Sequence, residues 1–157
     1  MFWGHGRKFR TIFLVFLFSI LLEHPSFCEI LSVQGNKVSL RADPDPKSSI
    51  LFEYGEGFPV EVQKKQADWV LVKDFENDSG WIHKSKLQKS KQVIVIANKD
   101  QENSINIRSS PTTKSPVVAN AFYGVVFSII EKKGEWVHVR HETGLKGWVK
   151  VTFLWGA

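Results

Sequence analysis

Beyond residue 28, apolar residues recur at every second position in short runs: Val38 and Leu40, Ile50 and Phe52, Val60 and Val62, Val70 and Val72, then Ile82. A period of two marks strands with one face toward a core and the other toward water. The pattern returns further along in Ile105 and Ile107, Val117 and Ala119, Phe127 and Ile129, Val137 and Val139, then Val149. Turn-forming segments separate the runs at matching places. They are Asp43-Pro44-Asp45-Pro46 and Ser110-Pro111, Gly57 and Gly124, Gln66-Ala67-Asp68 and Lys133-Gly134-Glu135, and the stretches ending at Gly80 and Gly147. Each half therefore predicts about five short strands. No stretch beyond residue 28 reads as an amphipathic helix, and a single helical turn fits only around His83 to Leu87. Gln88 to Gln92 reads as a polar linker, and Val93 to Ile96 as a further strand opening the second half.

The two halves are copies. A shift of 67 residues aligns Val38 with Ile105 and runs without a gap to Leu87 and Leu154. It pairs Arg41 with Arg108, Pro44 with Pro111, Gly57 with Gly124, Trp69 with Trp136, Gly80 with Gly147 and Trp81 with Trp148. Two tryptophan pairs in one register make coincidence a poor explanation, and a repeat found this way decides the architecture. The predicted fold class is all-β: two tandem small barrels, over 29–88 and 89–157, because an open sheet of so few strands would leave both edges exposed. Units of roughly 60 residues bury only about 60% of their unfolded surface. The two are therefore expected to touch, with the extra strand and Phe153-Leu154-Trp155 between them.

The first 28 residues have a different character. Arg7, Lys8 and Arg10 precede an uncharged apolar run from Thr11 to Leu22, and polar or small residues lead to Cys28. That order is the layout of a signal peptide. The apolar run of 12 residues is short of the roughly 20 that a spanning helix needs. Ser26 and Cys28 supply the small side chains that cleavage before Glu29 requires, while Phe27 stands where a lipidated-cysteine signal would have a small residue. The expectation is an exported protein, periplasmic or secreted, with no lasting membrane span once residues 1–28 are removed. Cys28 is the sole cysteine, so the remainder has no disulfide, thiolate nucleophile or cysteine metal site. Of the net charge of +5, the leader's three basic residues and Glu23 account for +2. The remaining +3 is mild, and suits work near anionic envelope polymers as well as it suits an ordinary solvated surface.

Each copy reads apolar-x-apolar-Arg-x-x-Pro, then Gly, then Trp-Val-x-Val, then Gly-Trp-apolar and a closing Leu. Val38 to Pro44, Trp69 to Val72 and Gly80 to Ile82 in this way resemble the bacterial SH3-like (SH3b) domain family, as do Ile105 to Pro111, Trp136 to Val139 and Gly147 to Val149. The resemblance implies a five- to six-stranded, partly open barrel acting as a targeting or binding module. It also implies, for cell-wall-associated members, ligands such as peptidoglycan peptide or other envelope polymers, often with a cysteine peptidase or amidase domain alongside.

Aromatic residues are the candidates for a binding face, because recognition of extended peptides or sugars uses flat side chains as platforms. Trp69 and Trp136 alternate with inward valines and should be at least partly exposed, which points to a groove. Trp81 and Trp148 alternate likewise, and could equally cover barrel ends or the contact between copies. Tyr54 and Tyr123 fall near the turn after the second strand and complete the candidate set. Arg41 and Arg108 end the first inward strand. They suit either an anion or carboxylate contact or a fork tying the long loop to backbone carbonyls, the reading their position favours.

Catalytic chemistry has no starting point in these residues. His138 and His141 differ by an odd number along a strand and face opposite sides, so no metal site is expected. Neither a Gly-Xaa-Ser-Xaa-Gly motif nor a phosphate-binding glycine loop is present. Glu53, Glu56 and Glu61 have no acidic counterparts in the second copy. No cofactor is implied. The functional expectation is a non-enzymatic binder of a cell-wall peptide or glycan or another envelope component. An adaptor for an envelope enzyme or, after secretion, a host protein is the alternative. Nucleic-acid binding by basic barrels ranks below both, since the lysines are dispersed and the leader directs export.

Overall fold

The computed structural model describes residues 1, 29–89, 91–99 and 102–157; the expected signal peptide lies outside the described residues apart from Met1. The chain forms two antiparallel seven-stranded sheets in succession. The first contains β1 (Ile30–Val33), β2 (Val38–Arg41), β3 (Ile50–Tyr54), β4 (Pro59–Gln66), β5 (Trp69–Lys73), β6 (Ser79–His83) and β7 (Leu87–Gln88), in the order β3-β2-β6-β5-β4-β1-β7. The second contains β8 (Gln92–Val95), β9 (Ile105–Arg108), β10 (Val117–Ala121), β11 (Val126–Lys133), β12 (Trp136–Arg140), β13 (Lys146–Lys150) and β14 (Leu154–Trp155), in the equivalent order β10-β9-β13-β12-β11-β8-β14. A 3-10 turn, Lys84–Lys86 or Val151–Phe153, joins the last two strands of each sheet. Among the described residues no helix is long and apolar enough to cross a membrane.

Each copy has two short pieces besides the expected five strands, β1 and β7 in the first and β8 and β14 in the second; β8 is the strand expected over Val93 to Ile96. These pieces explain how so small a sheet encloses a core. β4 pairs with β1 through Pro59, Val60 and Glu61, then with β5 through Glu61 to Gln66, with a bulge between Val62 and Lys64. β11 divides its pairing between β8 and β12 in the same way, with its bulge between Ile129 and Glu131. A bulge bends and twists a long strand, so each sheet folds over itself. Val33, Leu40, Val60, Val72 and Ile82 are wholly enclosed in the first copy, as are Val93, Val95 and Val149 in the second. Phe127 fills the second core where the first has Val60.

Two expectations are corrected here. Ile50 and Phe52, assigned to the inward face, are about half exposed, at 52% and 50%, and Val117 is 46% exposed. β3 and β10 are edge strands with register shifts against β2 and β9. At an edge no further strand covers the flank, and past these shifts Ile50 pairs with Arg41 and Val117 with Arg108, on the outer rather than the inward face. Gly80, read as part of a turn, lies inside β6 and is buried. A side chain there would come within 2.8 Å of the Arg41 carbonyl oxygen and 2.6 Å of Leu40 Cγ, and at Gly147 within 2.9 Å of the Arg108 carbonyl and 2.5 Å of Ile107 Cγ2. The glycine of each Gly-Trp pair is therefore required by the close approach of β6 to β2 and of β13 to β9.

β14 pairs with β8 of its own sheet, so Leu154 joins the second core; the neighbouring Gly156 comes close to Pro59 and Ile30. The copies meet where β4 passes β8 and through the β5–β6 loop. Tyr54 stacks on Phe58 at 4.3 Å, Phe58 lies 5.8 Å from Phe75, and Phe75 lies 5.4 Å from Tyr123 of the second copy. Glu76 Oε1 accepts a 2.6 Å hydrogen bond from the Tyr123 hydroxyl and pairs with Lys99 at 3.2 Å. Lys99 lies on the connection over residues 96–104, which is longer than its first-copy counterpart, 34–37. The repeat is thus gapless in the strands and unequal in the loop that reaches across.

Candidate functional site

Strand register places Arg41 opposite Trp81, Trp81 opposite Leu71, and Trp69 opposite His83. Directly paired residues share a face, and so do residues two apart along a strand. Arg41, Trp81, Leu71, Trp69 and His83 therefore form one stripe on the outer face of the first sheet. In the second sheet Arg108, Trp148, His138, Trp136 and Lys150 form the same stripe.

At one end of each stripe lies a surface pocket. The first, of about 290 Å³, is walled by Val38, Ser39 and Arg41 of β2, Trp69 at the start of β5, His83 at the end of β6 and Lys86 of the 3-10 turn, with Pro46 on the adjacent loop. The second, of about 330 Å³, is walled by Ile105, Asn106, Arg108, Trp136, Lys150 and Phe153, with Thr113 on its loop. Every one of these first-copy residues stands 67 positions before its counterpart. Lys37 and Ser104 extend the correspondence, and Asn36 in the first and Asn98 in the second complete the rims. One pocket has been built twice, with the Trp and Arg retained and most other positions changed.

Each arginine is fixed by its neighbouring loop. Arg41 Nη1 donates to the Ser48 carbonyl at 2.6 Å, and Arg108 Nη1 to the Ser115 carbonyl at 2.7 Å. This is the loop-tying role that the sequence favoured, performed by side chains that also line the pockets. The tryptophans have polar neighbours. The Trp69 and His83 rings meet edge to face at 5.4 Å, and Lys150 Nζ lies 5.9 Å from the Trp136 ring centre.

The other candidates lie elsewhere. Tyr54 is buried, 7% exposed, and its hydroxyl donates to Asp74 Oδ2 at 2.9 Å. Burial and the Asp74 carboxylate hold that hydroxyl well above the usual tyrosine range. Asp74 Oδ1 in turn accepts from the Glu76 and Asp78 backbone amides, so Tyr54 braces the loop that presents Phe75 and Glu76. Tyr123 is in the contact between copies. Neither tyrosine reaches a pocket, and in the repeat register Tyr54 matches Ala121 while Tyr123 matches Glu56. Trp81 and Trp148 share the outer stripe but line neither pocket. Trp148 is nearly buried and stacks on His138 at 4.7 Å, whose Nδ1 lies 3.3 Å from Glu131.

Lys37, His83, Lys86, Lys150 and Phe153 line the pockets, and sequence reasoning passed over them. Parity could have found two: His83 and Lys150 stand two residues after Trp81 and Trp148, hence on the same face. Among the described residues, no three His, Cys, Asp or Glu side chains are placed to hold a metal ion.

Two curled sheets in tandem, each with a tryptophan-and-arginine pocket on its outer face, define a repeat protein of small all-β modules. The chain belongs to the bacterial SH3 domain family, whose model matches residues 34–89 and again 101–156. No curated protein sequence matches it. Similar solved structures, each 14% identical, include NlpC2 and NlpC1 from Trichomonas vaginalis. NlpC2 has a TM-score of 0.35, with 80% of this chain and 47% of that one covered. NlpC1 has 0.36, with 83% and 47% covered. An NlpC/P60 family protein from Bacillus cereus ATCC 10987 has 0.37, with 81% and 56% covered. The chain thus spans about half the length of these structures.

Proposed function

We propose that this is a non-enzymatic, exported binding protein whose two modules recognise an extended component of the cell envelope, with peptidoglycan peptide the leading ligand. The observation that carries the reading is the duplicated pocket, in which a part-exposed tryptophan and a loop-anchored arginine occur at equivalent positions of both copies. A flat ring beside fixed polar groups suits an extended chain, whose successive units can lie across it. Two such pockets in one chain raise avidity for a repeating polymer, because the second contact becomes intramolecular once the first has formed. The contact through Phe75, Glu76, Tyr123 and Lys99 favours this further by limiting how far the pockets can reorient.

The test is co-sedimentation of the purified protein with cell-wall sacculi at modest salt. Trp69→Ala and Trp136→Ala are each expected to weaken binding by about 2 kcal/mol, as anchor residues do, and the double variant should remain in the supernatant while staying folded. Pelleting of the double variant at the wild-type level would overturn the reading. The adaptor alternative draws on the exposed apolar edge strands, Ile50, Leu51 and Phe52 in one copy and Val117 and Val118 in the other. A protein that ignores sacculi but captures an envelope protein, and loses it on Phe52→Lys, would establish that function instead.

A further inference from the structure

We infer that both pockets are anion sites, each seating a carboxylate or phosphate group of the ligand against its arginine. The inference rests on the reading of the pockets as the ligand surface and specifies its chemistry. The first pocket is lined by Lys37, Arg41, His83 and Lys86, and the second by Arg108 and Lys150. Neither lining contains an aspartate or glutamate. Of the carboxylates, strand register sets only Glu53 against a lining residue, opposite Ser39. The second copy has Asn120 there, hydrogen-bonded to Asn106 at 3.0 Å.

The state of the arginines points the same way. Each is part-buried and uses one nitrogen on a loop carbonyl, and neither makes another hydrogen bond or ion pair to the described residues. A carbonyl orients a guanidinium without neutralising it, so the remaining donors of a rigid fork are left aimed and charged. Planar recognition of a carboxylate or phosphate uses that arrangement. Lys37, Lys86 and Lys150 make no ion pair with the described residues either. The nearby Lys84, by contrast, is held by Asp68 at 2.7 Å. Retention of Arg at 41 and 108, with a nitrogen-bearing side chain at both 83 and 150, keeps a pair of N–H donors in each copy while the rest of the lining varies; His83 Nδ1 accepts from the Ser85 amide, which leaves its other ring nitrogen for the pocket. In the second pocket Phe153 replaces Lys86, and Asn98, Ser104 and Asn106 add neutral hydrogen-bonding groups. That pocket is accordingly fitted to an anionic group flanked by amides and an apolar side chain.

The test follows the indole N–H resonances of Trp69 and Trp136 while the whole protein is titrated with three probes. These are a short envelope-type peptide with free carboxylates, the same peptide fully amidated, and a glycerol phosphate oligomer. Either anionic probe is expected to shift both indoles, with the effective one identifying the source of the anion, and the amidated peptide to bind on the order of tenfold more weakly or worse. Lys150→Gln should weaken the Trp136 response alone and Lys86→Gln the Trp69 response alone. Neither lysine ties a loop, so these variants avoid the folding question raised by Arg108→Gln. Amidated and free peptides shifting both indoles with equal affinity would overturn the anion assignment and leave the pockets standing as ligand sites. No shift of either indole with any probe, in a protein that still pellets with sacculi, would overturn the pockets themselves.

Discussion

Replacing Gly80 by alanine tests the packing argument at its tightest point. The added methyl would sit 2.6 Å from Leu40 Cγ, 2.8 Å from the Arg41 carbonyl oxygen and 3.0 Å from Leu40 Cδ1. Carbon contacts are comfortable only at about 3.5–4.0 Å. Leu40 is wholly buried and the Arg41 oxygen is backbone, so β2 and β6 must separate. Forced expansion of a packed core costs about 2 kcal/mol, which for a module of this size lowers the melting temperature by roughly 10 °C. Calorimetry with circular dichroism measures it. Gly55→Ala is the control, since a methyl there meets nothing within 4 Å and the backbone angle is ordinary. That variant should match the wild type or gain a few tenths of a kcal/mol through a less flexible unfolded chain. A Gly80→Ala midpoint within about 2 °C of wild type would correspond to less than roughly 0.5 kcal/mol. The close approach of β6 to β2 would then not be what demands glycine.

Two further outcomes follow from the comparison of the copies. Ala67, in the turn before Trp69, has a φ of 50°, whereas its counterpart Gly134, at 56°, is free to adopt that region. Ala67→Gly should therefore leave stability unchanged or raise it by up to about 1 kcal/mol, and a clear loss in urea unfolding would contradict the strain. Glu76 is held below the usual carboxylate range by the Tyr123 hydroxyl and by Lys99. A depressed folded value means its contribution is present above the range of a free carboxylate and is lost as pH falls through the folded value. Unfolding of the two copies should therefore be more strongly coupled at neutral pH than in acid. Glu76→Gln should weaken the coupling at neutral pH and flatten this dependence, and an unchanged acid response in that variant would remove Glu76 from the contact.

The period-two runs and the self-match at 67 residues were enough to make the chain an all-β tandem repeat. They also put Trp69 and Trp136 on the outer face, because parity along a strand is a local property. They did not separate the two tyrosines. Tyr54 and Tyr123 occupy similar turns in sequence, yet one anchors a buried carboxylate and the other meets the neighbouring module. What distinguishes them is the presence of Asp74 beside one and Glu76 beside the other, contacts made across 20 and 47 residues.

The amino-acid sequence by itself thus determined the strands, the duplication, the face that most strand side chains take, and the glycine, tryptophan and arginine positions that both copies keep. Tertiary structure alone decided that β3 and β10 are edges with half-exposed apolar residues. It alone decided that Gly80 and Gly147 are points of closest strand approach rather than turns, and that Lys37, Lys86 and Phe153 join the pockets. The physical reason is range: alternation and turn chemistry act between neighbours in the chain, whereas edges, close approaches and pocket walls depend on which distant strands pair and in what register.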